Sequence, residues 1–358
     1  MQKHKNTIIT VMAPAVLLFS LLSSACDADK LNVLTSTSDL SCLVEAIGGS
    51  HVSASALADG RQDPHFIQAK PSYMIKAKRA DLWIRVGLEL EIGYETLIID
   101  GSRNRNIRLG NPGHLDVSEG ILALEVPTTQ KIDRSLGDVH PLGNPHYWLD
   151  PYNGRIMARN IAVRLKQLDP AHASDYDDNL ARFADRLDRA VFGDSLVDAV
   201  GGERLWALQL AGRLDEFVGH DDSKAAASAD KKLTLGGWLA RLGPYRGCKV
   251  VTYHRSWSYF THRLGLVVAA ELEPKPGIPP SPAHLAEVIA VMKDQGIRVI
   301  LMEPFYARKA ADFVGTRTGA EVIMVANSVG GEPAADGYLS MLDNIVEKVA
   351  GALGRTNK

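Results

Sequence analysis

The feature that most constrains the fold is an alternation of short apolar segments with helical segments, which occurs in two blocks of the chain. The predicted strands are 31–35, 52–57 and 82–86 in the first block, and 249–253, 299–302 and 322–325 in the second. Strands that alternate with helices favour parallel sheets covered by helices. The sequence therefore predicts an α/β fold, and 358 residues are enough for two domains.

A long helical region separates the two blocks. It begins at Asp150-Pro151, restarts at Asp169-Pro170 and carries an apolar stripe at helical spacing from Tyr176 to Val191. Such a stripe is normally a core face, but its length and central position make this region a candidate connector between two lobes. Residues 199–247 carry no clear motif.

The first 25 residues have the features of an export signal. A basic segment at 3–5 precedes an apolar stretch at 8–22, which is too short for a membrane span, and small residues lead up to Cys26. Cys26 resembles the acylated cysteine of a bacterial lipoprotein, or it is a free thiol next to a cleavage after Ala25. We therefore predict a location in the periplasm or at the outer face of the bacterial cytoplasmic membrane.

Composition excludes several classes of protein. With 40 Lys+Arg against 42 Asp+Glu, the chain lacks the basic excess of a nucleic-acid-binding protein. Three cysteines are too few for a disulfide framework or a cysteine-type zinc site. The His-Glu-x-x-His, Gly-x-Ser-x-Gly and phosphate-loop motifs are absent, so we predict that the protein is not an enzyme.

Three histidines follow short apolar runs far apart in the sequence. His65 ends an Asp-Pro-His tripeptide, His146 ends an Asn-Pro-His tripeptide, and His254 follows the predicted strand 249–253. Neutral imidazole is a common ligand for zinc, and open α/β sheets bind ligands beyond the carboxyl ends of their strands. Each histidine alone would be an ordinary loop residue, but the set predicts a shared metal site.

Zinc commonly takes four ligands, so three histidines leave one position open. Glu303 follows the predicted strand 299–302, and we expect it to ligate directly or through water. Asn327 offers only a neutral amide oxygen, and water alone is a further alternative. His140 is either a group that supports or recruits metal, or a surface loop residue.

Taken together, these motifs resemble the zinc/manganese solute-binding proteins of bacterial ABC transporters, the cluster A-I (cluster 9) metal-binding receptor family. The segments that carry the resemblance are 63–65 with 70–72, 144–151, 168–170 with Tyr176 and Asn179, 253–260, 280–282 and 302–304. The resemblance extends from residue 31 to the C-terminus and is poorest at 199–247.

The resemblance implies two α/β lobes, each a small, mostly parallel sheet flanked by helices, joined by one long rigid linking helix. The implied segments are an N-terminal lobe at 26–150, a linking helix at 151–198 and a C-terminal lobe at 199–358. The metal would lie between the lobes. Its implied ligands are His65, His146 and His254.

Two departures from the family pattern bear on the metal. Asn327 stands where the family usually has an aspartate, and the long histidine-rich acidic loop of many zinc-specific members is missing, since 111–145 contains only His114 and His140. Three nitrogen ligands still favour zinc over manganese, which prefers oxygen ligands.

The predicted function is that of a monomeric exported protein that captures zinc, with manganese as the second choice of ion, and delivers it to an ABC transporter permease. Two rival functions are a secreted zinc-dependent hydrolase with Glu303 as general base, and a surface adhesin stabilised by metal.

Overall fold

In the computed structural model, residues 30–127, 140–219, 233–275 and 277–356 are described. The first lobe contains β1 (Leu31–Thr37), β2 (Val52–Ala58), β3 (Leu82–Arg85) and β4 (His114–Asp116), with helices α1 (Ser38–Gly48), α2 (Pro71–Arg79) and α3 (Glu95–Ser102). All pairs in this sheet are parallel, in the order β2-β1-β3-β4.

The second lobe repeats this arrangement. It contains β5 (Lys249–Thr252), β6 (Val267–Glu271), β7 (Val299–Met302) and β8 (Glu321–Met324), in the order β6-β5-β7-β8, again all parallel. The predicted fold class, two lobes built on parallel sheets flanked by helices, is confirmed. The short edge strands β4 and β6 are additions to the predicted set.

In the described ranges, five helices lie between the sheets along the chain, and five more belong to the second lobe. The first group is α4 (Pro151–Leu168), α5 (Ala173–Phe192), α6 (Asp194–Val200), α7 (Gly202–Leu210) and α8 (Leu214–Gly219). The second group is α9 (Gly237–Leu242), α10 (Ser258–Leu264), α11 (Pro282–Asp294), α12 (Lys309–Thr318) and α13 (Tyr338–Thr356). Among the described residues, no helix has the length and apolar character needed to cross a membrane.

Helix α5 makes contacts at both lobes. Near its start, Asn179 Nδ2 donates to the Ile47 carbonyl of α1 (2.8 Å), and at its end the Phe192 carbonyl accepts from Gly236 N–H (2.8 Å). Helix α4 packs antiparallel to it, because Arg155 near the start of α4 lies 3.6 Å from Asp188 near the end of α5. The range 151–198 thus holds α4, α5 and most of α6, and the domain boundaries stay a prediction.

Both faces of each sheet are covered, as expected for parallel sheets. In β3, Leu82 and Ile84 face a large core shared with the helices between the lobes, while Trp83 faces a smaller core formed with α2 and α3. The lobes also touch directly at the start of α1. There Ser38 Oγ donates to the Val329 carbonyl (2.6 Å), and Val329 N–H donates to Asp39 Oδ1 (2.9 Å).

Candidate metal centre

The three predicted histidines converge between the lobes. His65 lies in a single helical turn, Pro64–Phe66, after β2; His146 directly precedes the turn Tyr147–Leu149; and His254 follows β5. Their ligand atoms all lie within 4.8 Å of one another. The ring centroids are 5.0 Å apart for His65 and His146, 5.6 Å for His65 and His254, and 5.2 Å for His146 and His254. Three nitrogen donors around one small volume suit a divalent ion such as zinc.

Each of these imidazoles is held through its Nδ1 atom by a hydrogen-bond acceptor. His65 Nδ1 lies 2.8 Å from Asp63 Oδ1, His146 Nδ1 2.9 Å from Asn144 Oδ1, and His254 Nδ1 2.7 Å from Glu273 Oε2. An acceptor at Nδ1 fixes the proton there and leaves the Nε2 lone pair free. This is the arrangement that orients histidine ligands in protein metal sites.

Sequence reasoning missed these three supporting residues. A signal for two of them was present, because the tripeptide pattern of Asp or Asn, then Pro, then His occurs twice and places the acceptor two residues before the ligand. Asp63 and Asn144 each also accept the backbone N–H of their histidine, at 3.0 and 2.9 Å. Glu273 has no such local signal, since it lies on another loop.

Glu273 reaches His254 because their strands are neighbours. Strands β5 and β6 pair in parallel, so the loops that follow them emerge side by side, and Glu273 N–H donates to the Tyr253 carbonyl (3.0 Å). The two residues each stand two positions beyond the end of their strand. The topology of the sheet, not sequence spacing, creates this pair.

A tyrosine connects the lobes at the site. Tyr306 of the second lobe donates from its hydroxyl to Asp63 Oδ2 of the first lobe (3.1 Å), and its ring stacks on Tyr253 with centroids 4.4 Å apart. Burial acts to raise the pKa of Asp63, but the hydrogen bonds and charge of His65 outweigh it and lower this pKa to about 2. Asp63 is therefore an anion at neutral pH and suits a site for a cation.

Glu303 is fully buried one residue beyond β7, and neither carboxyl oxygen has a hydrogen bond of normal geometry. Burial raises the pKa of Glu303 to about 8, although the Ser256 side chain acts in the opposite direction. Glu303 lies outside the set of atoms within 4.8 Å of one another. A buried carboxyl without a partner is costly, so this residue suits a position near a bound cation.

Asn327 is also buried near the site. Its backbone carbonyl accepts a hydrogen bond from Trp148 Nε1 (2.7 Å), while its side-chain oxygen has no partner. The Trp148 ring lies 5.1 Å from that of His146 and helps to fix it.

His140, whose role the sequence left open, lies beside the trio. Its Nε2 is 3.1 Å from His65 Nε2, and the two ring centroids are 5.2 Å apart. Burial, with the neighbouring charges of His65 and His254, lowers the pKa of His140 to about 3, and burial also holds the pKa of His146 well below its usual value. Both rings are therefore neutral at neutral pH. His114, the other histidine of 111–145, is buried in β4 beside Glu95.

The fold and the histidine centre define a two-lobed protein whose three clustered imidazoles between the lobes are suited to a metal ion. The model of the family described as zinc-uptake complex component A, periplasmic (ZnuA), matches residues 33–191 and 226–352. The chain belongs to this family, as the sequence predicted.

Curated relatives are metal transport proteins. The manganese ABC transporter substrate-binding lipoprotein PsaA of Streptococcus pneumoniae is 30% identical over 189 residues, which are 51% of this chain and 58% of the relative. The metal ABC transporter substrate-binding lipoprotein FimA of Streptococcus parasanguinis is 30% identical over 188 residues, with the same shares. The matched region thus spans less than two thirds of these relatives.

Solved structures share the fold. A crystal structure of ZnuA superposes with a TM-score of 0.65 at 22% identity and covers 90% of this chain and 99% of that one. A periplasmic metal binding protein from Candidatus Liberibacter asiaticus gives a TM-score of 0.61 at 21% identity, covering 90% and 100%. The family is described as periplasmic, and the relatives are named as substrate-binding lipoproteins of ABC transporters. These descriptions confirm the predicted exported location and the prediction that the protein is a binding protein and not an enzyme.

Proposed function

We propose that this protein captures a divalent metal ion, zinc in preference to manganese, between its two lobes and delivers it to an ABC transporter permease. The observation that carries the proposal is the convergence of three imidazoles whose ligand atoms lie within 4.8 Å of one another, each oriented by an acceptor at Nδ1. The proposed ligands are His65, His146 and His254, with Glu303 as the acidic member.

The preference for zinc rests on the donor atoms. Imidazole nitrogen suits zinc, whereas carboxylate, carbonyl and water oxygens suit manganese. The relative PsaA is named for manganese, while the matching family is named for zinc. The centre of this chain brings three nitrogens together, and Glu303 lies outside that tight set.

Delivery to a permease is proposed from the family and from the relatives named as ABC transporter proteins. We also propose that the protein acts as a monomer. Tethering through Cys26 and removal of residues 1–25 concern a segment outside the described residues, and both remain predictions.

Metal selection tests the proposal. The purified protein is loaded in an equimolar mixture of zinc and manganese, and its metal content is measured by mass spectrometry. We expect about one zinc per chain and little manganese. A manganese-loaded protein would contradict the zinc assignment, and a protein with neither metal would contradict the function. A strain lacking the gene should accumulate less zinc in zinc-limited medium.

A further inference from the structure

The contact between His65 and His140 needs a physical explanation. The two Nε2 atoms face each other at 3.1 Å. Asp63 accepts from His65 at Nδ1 (2.8 Å), and the Glu89 carbonyl accepts a hydrogen bond from the His140 ring, whose Nε2 already faces His65. These acceptors place the protons on the outer nitrogens of both rings. The two Nε2 atoms therefore present lone pairs to each other.

Two lone pairs at this distance repel each other unless a cation lies near both. Two nitrogen ligands on a tetrahedral zinc ion, with bonds of about 2.0–2.1 Å, stand about 3.3 Å apart. The contact of 3.1 Å between His65 and His140 is close to that spacing. The same volume is bordered by His146 and His254, whose ring centroids lie 5.0 and 5.6 Å from that of His65.

The acceptor for His140 is built into an unusual loop. Gly87, Leu88 and Glu89 have φ angles of 82°, 50° and 67°, and two of them carry side chains that disfavour this left-handed region. The buried Glu91 carboxyl stabilises the loop, since it accepts the N–H groups of Val86 (2.7 Å) and Gly87 (3.1 Å). The Glu89 carbonyl is thus fixed in the direction that orients the His140 ring.

His140 lies on the solvent side of the centre. His146 and His254 are 3% and 4% exposed, whereas the neighbours of His140, Pro141 and Leu142, are exposed. His140 itself is half-buried and is therefore more accessible than His146 and His254.

We infer that His140 is a fourth metal-binding imidazole, which holds the ion together with His65 and closes the centre on its solvent side. The inference rests on the proposed function. His140 lies outside the set whose atoms are within 4.8 Å of one another, so joining the trio around one ion would require a shift of its ring. A fourth nitrogen would strengthen the preference for zinc over manganese.

The test compares His140→Ala with His262→Ala, which removes an exposed histidine of α10. Zinc affinity and dissociation rate are measured by chelator competition, and the visible absorption of the cobalt-loaded protein reports the ligand set. For His140→Ala we expect an affinity at least about tenfold lower, faster dissociation and a changed cobalt spectrum, while His262→Ala behaves like the parent.

Parent-like affinity, dissociation rate and spectrum in His140→Ala would overturn the inference, and so would a loss of affinity with an unchanged spectrum. His140→Gln, which keeps a side chain of similar length, is measured in parallel in case the alanine variant does not fold. His146→Ala distinguishes a failure of the proposed function from a failure of the inference about His140. If His146→Ala binds zinc normally, the proposed function fails. If His146→Ala does not bind zinc while His140→Ala behaves like the parent, only the assignment of His140 as a ligand is wrong.

Discussion

At the scale of single residues, the metal centre depends as much on the acceptors behind the histidines as on the histidines themselves. The convergence of the three histidines was predictable because each follows a recognisable segment, and the acceptors at Asp63 and Asn144 repeat one local pattern. Glu273 was not predictable, because only the pairing of β5 with β6 brings it to His254.

We expect Glu273→Ala to weaken zinc binding by about 10- to 100-fold, the usual cost of removing a group that orients a histidine ligand. The change leaves His254 Nδ1 without its carboxylate, which lies 2.7 Å away. Calorimetric titration with zinc measures the effect. Glu287→Ala, which removes an exposed carboxylate on α11, is the control. Equal affinities for the two variants would show that Glu273 does not orient a ligand.

Glu303 and Asn327, the two side chains that could complete the metal centre, can be ranked by their effect on zinc affinity. Glu303→Gln keeps the shape of the side chain and removes its charge, so it should reduce zinc affinity more than Asn327→Ala does, because a bound divalent ion favours a nearby carboxylate. Zinc titrations of both purified variants measure the order. The reverse order would assign the position to Asn327, and no effect from either change would show that neither side chain contributes to zinc binding.

The pKa of Glu303 predicts a dependence of stability on pH. In the folded, metal-free protein this pKa is raised from 4.5 to about 8. The folded state therefore binds the proton of the Glu303 carboxyl more tightly than the unfolded state does. The resulting contribution to the free energy of unfolding is fully present below about pH 4.5 and is lost as the pH rises through about 8. The free energy of unfolding of the parent, relative to Glu303→Gln, should thus decrease from pH 5 to pH 8 in urea titrations. A constant difference would contradict the burial of a neutral Glu303.

At the scale of elements, the predicted central strands β3, β5 and β7 are short, largely apolar runs with most of their residues buried. The strands that were missed are edge strands: β4 has three residues, and β6 is only partly buried. In the described part of the motif-poor region 199–247, short helices are separated by glycines such as Gly201 and Gly212, which have positive φ. Helices this short carry too few apolar residues to give a clear periodic pattern.

The start of α4 depends on a buried ion pair with α10. Asp150 caps α4 by accepting Tyr152 N–H (2.9 Å), and Arg263 donates to both of its oxygens at 2.8–3.0 Å. The two side chains are 4% and 11% exposed. Arg263→Ala leaves a buried carboxylate without its cation, so we expect a loss of about 3–5 kcal/mol in the free energy of unfolding.

Urea unfolding of metal-free protein measures this loss. The matched control is Arg241→Ala, which breaks the pair with Glu347, whose side chains are 42% and 54% exposed. An exposed pair contributes about 0–1 kcal/mol. Similar losses for both variants would mean that the Asp150 pair does not anchor α4.

At the scale of the whole molecule, the centre requires both lobes at once. His65 is held by Asp63 of the first lobe, and Tyr306 of the second lobe binds the same aspartate. Asn144, which holds His146, also donates to the Arg255 carbonyl of the second lobe (2.8 Å). An ion at this position would therefore stabilise the contact between the lobes, as any ligand of the folded state alone does.

The central claim is that the histidine trio binds the ion, and a crystal structure of the zinc-loaded protein with anomalous scattering at the zinc edge tests it most directly. We predict one strong peak between the lobes, about 2.0–2.1 Å from the Nε2 atoms of His65, His146 and His254. A peak ligated by other residues, or no peak among these three imidazoles at saturating zinc, would contradict it.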